Sequence, residues 1–143
     1  MNINEKKDQL IAQFSTFDDW MDRYNLLIEL GKSCPILDDK DKTEAHLIQG
    51  CQSRVWLTAN LQNGKMILKA DSDAVITKGI AALLIYVFSD ENPQEVVDAD
   101  LDFIEKIGLR EHLSPTRSNG LNAMIKQIKL YALALSLKLK SEN

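Results

Sequence analysis

The sequence predicts an α+β fold in which helices pack on one face of a small antiparallel sheet. Three observations carry this expectation. Apolar residues recur at three- and four-residue spacing towards both ends of the chain, they alternate singly on either side of Asn63-Gly64, and the patterns run in the order helices, strands, helices. The 143 residues, 45% of them hydrophobic, suffice for one domain over 1–143 with a substantial core.

Two helices open the chain. Glu5 to Phe14 groups Leu10, Ile11 and Phe14, and Asp18 to Leu30 aligns Trp20, Tyr24, Leu27 and Ile28. Thr16-Phe17-Asp18-Asp19 reads as a capping box with Thr16 as the cap, and Gly31 as the left-handed residue that ends the second helix. Lys32 to Glu44, with Pro35 and the run Asp38 to Lys42, reads as a surface connection. Val55, Leu57, Ala59 and Leu61 then alternate with Arg54, Trp56, Thr58 and Asn60, and Met66, Leu68 and Ala70 with Lys65, Ile67 and Lys69. Asn63-Gly64 between them suits a type I′ turn, so this stretch is a hairpin, with Trp56 assigned to the core. A short strand over Leu47 to Gln49 is expected as a third member, leaving Gly50 and Cys51 at the connection between strands.

Ser72 is placed to cap a helix from Asp73 to Phe88, which is apolar all round and therefore central. Asn92-Pro93 and Ser114-Pro115 each start a helix with proline at its first position, and Gly108 ends one over Leu101 to Ile107. The last helix runs through Leu121, Ile125, Ile128, Ala132, Leu135 and Leu139. Leu133, Leu135, Leu137 and Leu139 also alternate as in a strand, but Ala, Leu and Lys are strong helix formers.

Composition narrows the function. Seventeen basic residues against 21 acidic ones give a net charge of -4 and no basic stripe, so nucleic acid is not an expected partner. The longest apolar run, Gly79 to Phe88, is about half the ~20 residues of a membrane span, so no membrane is expected either. Asn4-Glu5-Lys6-Lys7-Asp8 has no apolar signal core, which points to the cytoplasm. His46 and His112 cannot make a multi-histidine metal site, no Cys or His pair has ligand spacing, and no glycine-rich loop stands between a strand and a helix. No metal or cofactor is expected in this chain.

That leaves two cysteines, Cys34 and Cys51, neither spaced as a redox pair. Cys51 lies after a glycine and before polar Gln52 and Ser53, where a partner can reach it, and Arg54 places positive charge that favours the thiolate. Equally, a free cysteine is often a small buried hydrophobe. A cysteine hydrolase with His46 or His112 as base is a further alternative, needing a carboxylate and an oxyanion pocket.

The stretch Leu47-Ile48-Gln49-Gly50-Cys51-Gln52-Ser53-Arg54-Val55-Trp56-Leu57 resembles the active-site segment of the SufE family of sulfur-acceptor proteins. Leu27-Ile28-Glu29-Leu30-Gly31, Asp71-Ser72-Asp73 with Lys78-Gly79, and His112-Leu113-Ser114-Pro115-Thr116-Arg117-Ser118-Asn119-Gly120-Leu121 agree with the family in order and spacing. Two departures stand out: Ala70 replaces a glycine common among relatives, and Cys34 adds a thiol before Pro35. The resemblance implies a fold related to iron–sulfur scaffold proteins. It also implies that Cys51 accepts persulfide sulfur from a cysteine desulfurase, stimulating that enzyme, and relays it to an iron–sulfur scaffold or another acceptor. Pyridoxal phosphate would belong to the desulfurase. Around Cys51, Gly50 would let the loop expose and shelter the thiol, Gln52 and Ser53 would hydrogen-bond within the loop, and Arg117 would reach the sulfur or the partner. A solvated charge is the plainer reading of Arg117. A third reading overall is a binding module whose cysteine only packs.

Overall fold

The computed structural model describes residues 1–142. Among them, six helices surround one hairpin: α1 (Ile3–Ser15), α2 (Trp20–Lys32), β1 (Val55–Gln62), β2 (Lys65–Ser72), α3 (Val75–Phe88), α4 (Pro93–Asp98), α5 (Asp102–Ile107) and α6 (Pro115–Ser141). The fold is α+β, as the patterns predict.

The strands pair antiparallel with Leu57 opposite Ala70, Ala59 opposite Leu68 and Leu61 opposite Met66. The turn residues Asn63 and Gly64 have φ of 52° and 77°, the left-handed values a type I′ turn requires. One face of the hairpin therefore carries all the alternating apolar residues; Val55, Leu57, Met66, Leu68 and Ala70 are buried in the core beside the large side chains of α3. Ten of the fourteen residues of α3 are buried, which makes it the central helix. Its last residue, Phe88, is fully buried, as are Phe14 of α1 and Phe103 of α5, each contributing about 1.5–3 kcal/mol of transfer free energy.

Several local expectations are corrected. The first helix begins before Glu5, with Asn2 as its cap in a full capping box with Glu5. Thr16 closes α1 instead of opening α2, its hydroxyl donating to the Ala12 carbonyl, and Asp19 caps α2 by accepting from Met21 N–H. Gly31 lies inside α2, where its role is close packing against Gly79. Ser72 ends β2; its hydroxyl accepts from Ala74 N–H, and α3 starts at Val75 without any side-chain cap. The expected third strand reduces to a bridge between Leu47 and Trp56, because the residues before it form a 3₁₀ turn at Glu44–His46. Trp56 points away from the core face and is partly exposed, with Lys42 Nζ 6.0 Å from its ring centroid. The caps Asn92 and Ser114, the prolines that follow them and the left-handed Gly108 stand as predicted, and α6 is one unbroken helix of 27 residues.

A hairpin has two open edges, and here the chain covers them. Along β2, Met66 N–H donates to Glu91 O (2.8 Å), Leu68 N–H to Ser89 Oγ (2.9 Å) and Ala70 N–H to Pro35 O (2.9 Å). Along β1, Val55 O accepts from Ile48 N–H (2.8 Å), and Leu57 O from the Tyr131 hydroxyl (3.1 Å). Lysines fasten the covering segments. Lys6, read from sequence as part of a polar terminus, is buried; its Nζ meets Glu91 at 2.6 Å and Ser89 O at 3.0 Å. Lys129 donates to the carbonyls of Val96, Val97 and Ala99 at the end of α4.

The tightest packing is between α2 and α3. A Cβ on Gly79 would lie 2.3 Å from the Leu27 carbonyl oxygen, a backbone atom that cannot move aside, whereas one on Gly31 would meet Gly79 N at 3.1 Å. Gly79→Ala is expected to cost about 3 kcal/mol or more, and Gly31→Ala distinctly less, in urea unfolding monitored by circular dichroism. Equal costs at the two positions would contradict this packing.

Candidate functional site

Cys51 sits in the loop between Ile48 and Val55, closed at its base in two ways. The bond from Ile48 N–H to Val55 O ties it to β1. Arg54 N–H donates to Asp73 Oδ1 (3.1 Å) and Asp73 N–H to Arg54 O (3.3 Å), tying it to the turn before α3. Gly50 turns the chain with φ of 93°, a value that L residues rarely adopt. The thiol is thereby aimed at α6, where Cys51 Sγ–H donates to the Gly120 carbonyl at 3.8 Å.

Beside it opens a cavity of about 430 Å³, walled by three elements. The loop gives Cys51, Gln52 and Ser53, the start of α3 gives Ala74 and Thr77, and the N-terminal end of α6 with its cap gives Ser114, Thr116, Arg117 and Gly120. A Cβ at Gly120 would stand 3.5 Å from Cys51 Sγ, an ordinary contact distance. The structure thus brings Cys51, Gln52, Ser53 and Arg117 together, with Gly50 shaping their loop. Arg54 is exposed and is not among the lining residues. Burial pushes the Cys51 thiol up from its ordinary value, and no charge from Arg54 brings it back down, contrary to the expectation for that arginine. Thr77, Thr116 and Ala74 were missed as site residues from sequence; Thr116 lies in the family-like segment His112 to Leu121, and Thr77 and Ala74 only at the start of a helix.

The histidines serve elsewhere. His46 Nδ1 pairs with the Asp41 carbonyl at 2.6 Å, and His112 stacks on Trp20 with ring centroids 3.9 Å apart. Among the described residues, the walls of the Cys51 cavity hold no histidine and no carboxylate, so the arrangement lacks the base that a cysteine hydrolase requires. Cys34 and Cys51 are both free thiols. Cys34 is buried, its Sγ–H donating to Ala70 O at 3.7 Å, and burial pushes its thiol up to about 11 despite the nearby Lys78. The two positions that depart from the family pattern therefore touch each other. Asp71 bridges Lys42 (2.7 Å) and Lys78 (3.3 Å); burial opposes its ionisation, but these hydrogen bonds and the Ser72 N–H hold the carboxyl below the usual range. Among the described residues, no helix is long and apolar enough to cross a membrane.

An α+β fold that holds a half-buried, free thiol in the wall of a small cavity defines a protein whose candidate site centres on a cysteine. Residues 8–132 match the SufE family, an Fe-S metabolism associated domain, and the chain belongs to that family. Its fold is similar to the solution structure of a hypothetical protein from Thermus thermophilus, with a TM-score of 0.77 at 24% identity over 93% of this chain and 96% of that one.

The two thiols should differ sharply in reactivity. With iodoacetamide near neutral pH, labelling is expected at Cys51 first, its rate still climbing with pH above about 8.5, where free cysteine is half ionised. Cys34 should stay unlabelled until the protein unfolds. Peptide mass spectrometry checks both, and equal labelling of the folded protein would contradict the burial described.

Proposed function

We propose that this protein accepts sulfur on Cys51 from the persulfide of a cysteine desulfurase and passes it on for iron–sulfur cluster assembly. The observation that carries the reading is the placement of Cys51, as a half-buried free thiol lining a cavity, in a chain that belongs to a family of Fe-S metabolism.

The chemistry is thiol exchange. Cys51 sulfur attacks the outer sulfur of the enzyme's Cys–S–SH; a new S–S bond forms on Cys51 as the old one breaks, and the enzyme's sulfur leaves with the electron pair. The proton lost by Cys51 balances the one taken up by the leaving thiolate, and nothing is oxidised or reduced overall. Pyridoxal phosphate is the desulfurase's cofactor and has no step here. A thiol kept protonated by burial is a poor nucleophile alone, so acceptance waits for a docked partner. Removal of the persulfide frees the desulfurase for a further turnover, which accounts for its stimulation. Gly50 and the loop it shapes give the thiol room to move towards the partner. Gln52, Ser53 and Arg117 border the space that receives the sulfur, while exposed Arg54 is available to the docking surface. The cytoplasm, where thiols stay reduced, is the compartment this chemistry suits.

Incubation with an active cysteine desulfurase and cysteine is expected to leave the protein one sulfur atom heavier at Cys51, reversed by reductant. Cys51→Ser should abolish the gain and Cys34→Ser should leave it intact. Failure to load from every desulfurase of the source organism, each shown to be active, sinks the proposal.

A further inference from the structure

The wall of the Cys51 cavity opposite the loop has a polar character that acceptance of sulfur does not by itself explain. Among the described residues, four helices have a side-chain oxygen on their first amides, from Asn2, Asp19, Asn92 and Ser114. The central helix α3 does not. Its N-cap is Ala74, a residue of the cavity wall, and the N–H groups of Val75, Ile76 and Thr77 find no acceptor among the described residues.

Thr77 supplies an independent observation. It is 7% exposed, lines the same cavity, and its hydroxyl has no hydrogen-bond partner among the described residues. Every fully enclosed side-chain oxygen or nitrogen described has a partner, so this hydroxyl is not sealed in; it opens into the space beside Cys51. A hydroxyl that no protein group engages is free to donate to a ligand in that space. Ala74, the residue at the start of α3, lines the same cavity, so the free amides of this helix start add positive potential near it.

We infer that the Thr77 hydroxyl and the uncapped first turn of α3 form a receptor for the outer, anionic sulfur of a Cys51 perthiolate. The ligand it would take is a small, soft, singly charged acceptor of hydrogen bonds carried on Cys51, which lines the same cavity. It rests on the reading of Cys51 as a sulfur carrier. Arg117, from α6, is the one charged side chain in the described lining; the loop offers neutral Gln52 and Ser53, and α3 offers no charge there. Asp73 and Arg54 are joined through the loop's base, and Lys78 is engaged by Asp71 at 3.3 Å. Thr77 thus supplies a hydrogen bond that the other wall residues do not duplicate from α3.

The test loads Cys51 without a desulfurase, in the full-length Cys34→Ser protein. The Cys51 thiolate attacks inorganic tetrasulfide; one S–S bond forms on Cys51, one breaks in the polysulfide, and trisulfide leaves with the electron pair. The loaded sulfur is then titrated by its rate of capture with iodoacetamide over a pH series, read by mass spectrometry. Thr77→Val keeps the shape of the side chain and removes the hydroxyl. It is expected to raise the pH of half-ionisation by about one unit and to shorten the life of the adduct several-fold, whereas Thr77→Ser restores both. Thr77→Ala replaces Thr77→Val should the latter lose its helical circular dichroism. A Thr77 variant without the hydroxyl that titrates and decays as the parent does overturns the receptor. The result separates from the fate of the relay: loading from a desulfurase with an unchanged Thr77→Val titration refutes the receptor alone, and a shifted titration in a protein that no desulfurase loads supports the receptor while the relay falls.

Discussion

The approach of α2 to α3 at Gly79 is the constraint on which the arrangement depends. The Leu27 carbonyl occupies the space that any side chain at position 79 would need, so the two helices can lie this close only because no Cβ intervenes. α3 then takes a fixed position under the hairpin, and its first turn reaches the site. Thr77 is two residues before Gly79 and forms part of the cavity wall, while Lys78, between them, is held by Asp71 on β2. A displacement of α3 would reach the sulfur site within one turn of helix.

The hairpin poses the complementary problem. Two strands alone are marginal in water, and their outer N–H and C=O groups invite pairing with other chains. The solution is distributed: Pro35, Ser89 and Glu91 complete the ladder of β2, and Tyr131 and Ile48 that of β1. Buried Lys6 holds the Ser89 carbonyl, and half-buried Lys129 of α6 holds the carbonyls at the end of α4. Breaking the Lys6–Glu91 pair would leave an unpaired charge where the partners are only 10% and 8% exposed, which is far costlier than losing a surface ion pair. Charged residues near the terminus thus serve the sheet.

At the site, the starts of α3 and α6 form two walls, and the loop that turns at Gly50 forms the third. The free thiol is protected by burial, not activated by charge. A resting thiolate, by contrast, would be open to oxidation and to exchange with other thiols. Cys34 takes the same principle further: packed against Ala70 and raised to about 11, it is a core residue that happens to carry sulfur.

Much of this was legible in the chain. The single alternation around Asn63-Gly64 fixes a hairpin, Pro93 and Pro115 mark two helix starts, and Gly50-Cys51 marks the loop, because each depends on φ preferences or on periodicities of two and 3.6 residues that act locally. Membership of the SufE family was legible for the same reason, as its motifs are contiguous. Other features depend on residues far apart in sequence. Whether Thr16 or Asp19 caps α2, and whether Gly31 ends a helix or admits another, turned on what packs nearby. That Arg54 faces solvent while Arg117 borders the sulfur, and that Thr77 shares a wall with Cys51, follows from α3 and α6 ending beside one loop. The sequence by itself determined that Cys51 follows a glycine in a loop between segments of defined type. Only the tertiary structure decided what surrounds the thiol, because burial, and the hydrogen bonds it leaves unmet, are properties of elements brought together by packing.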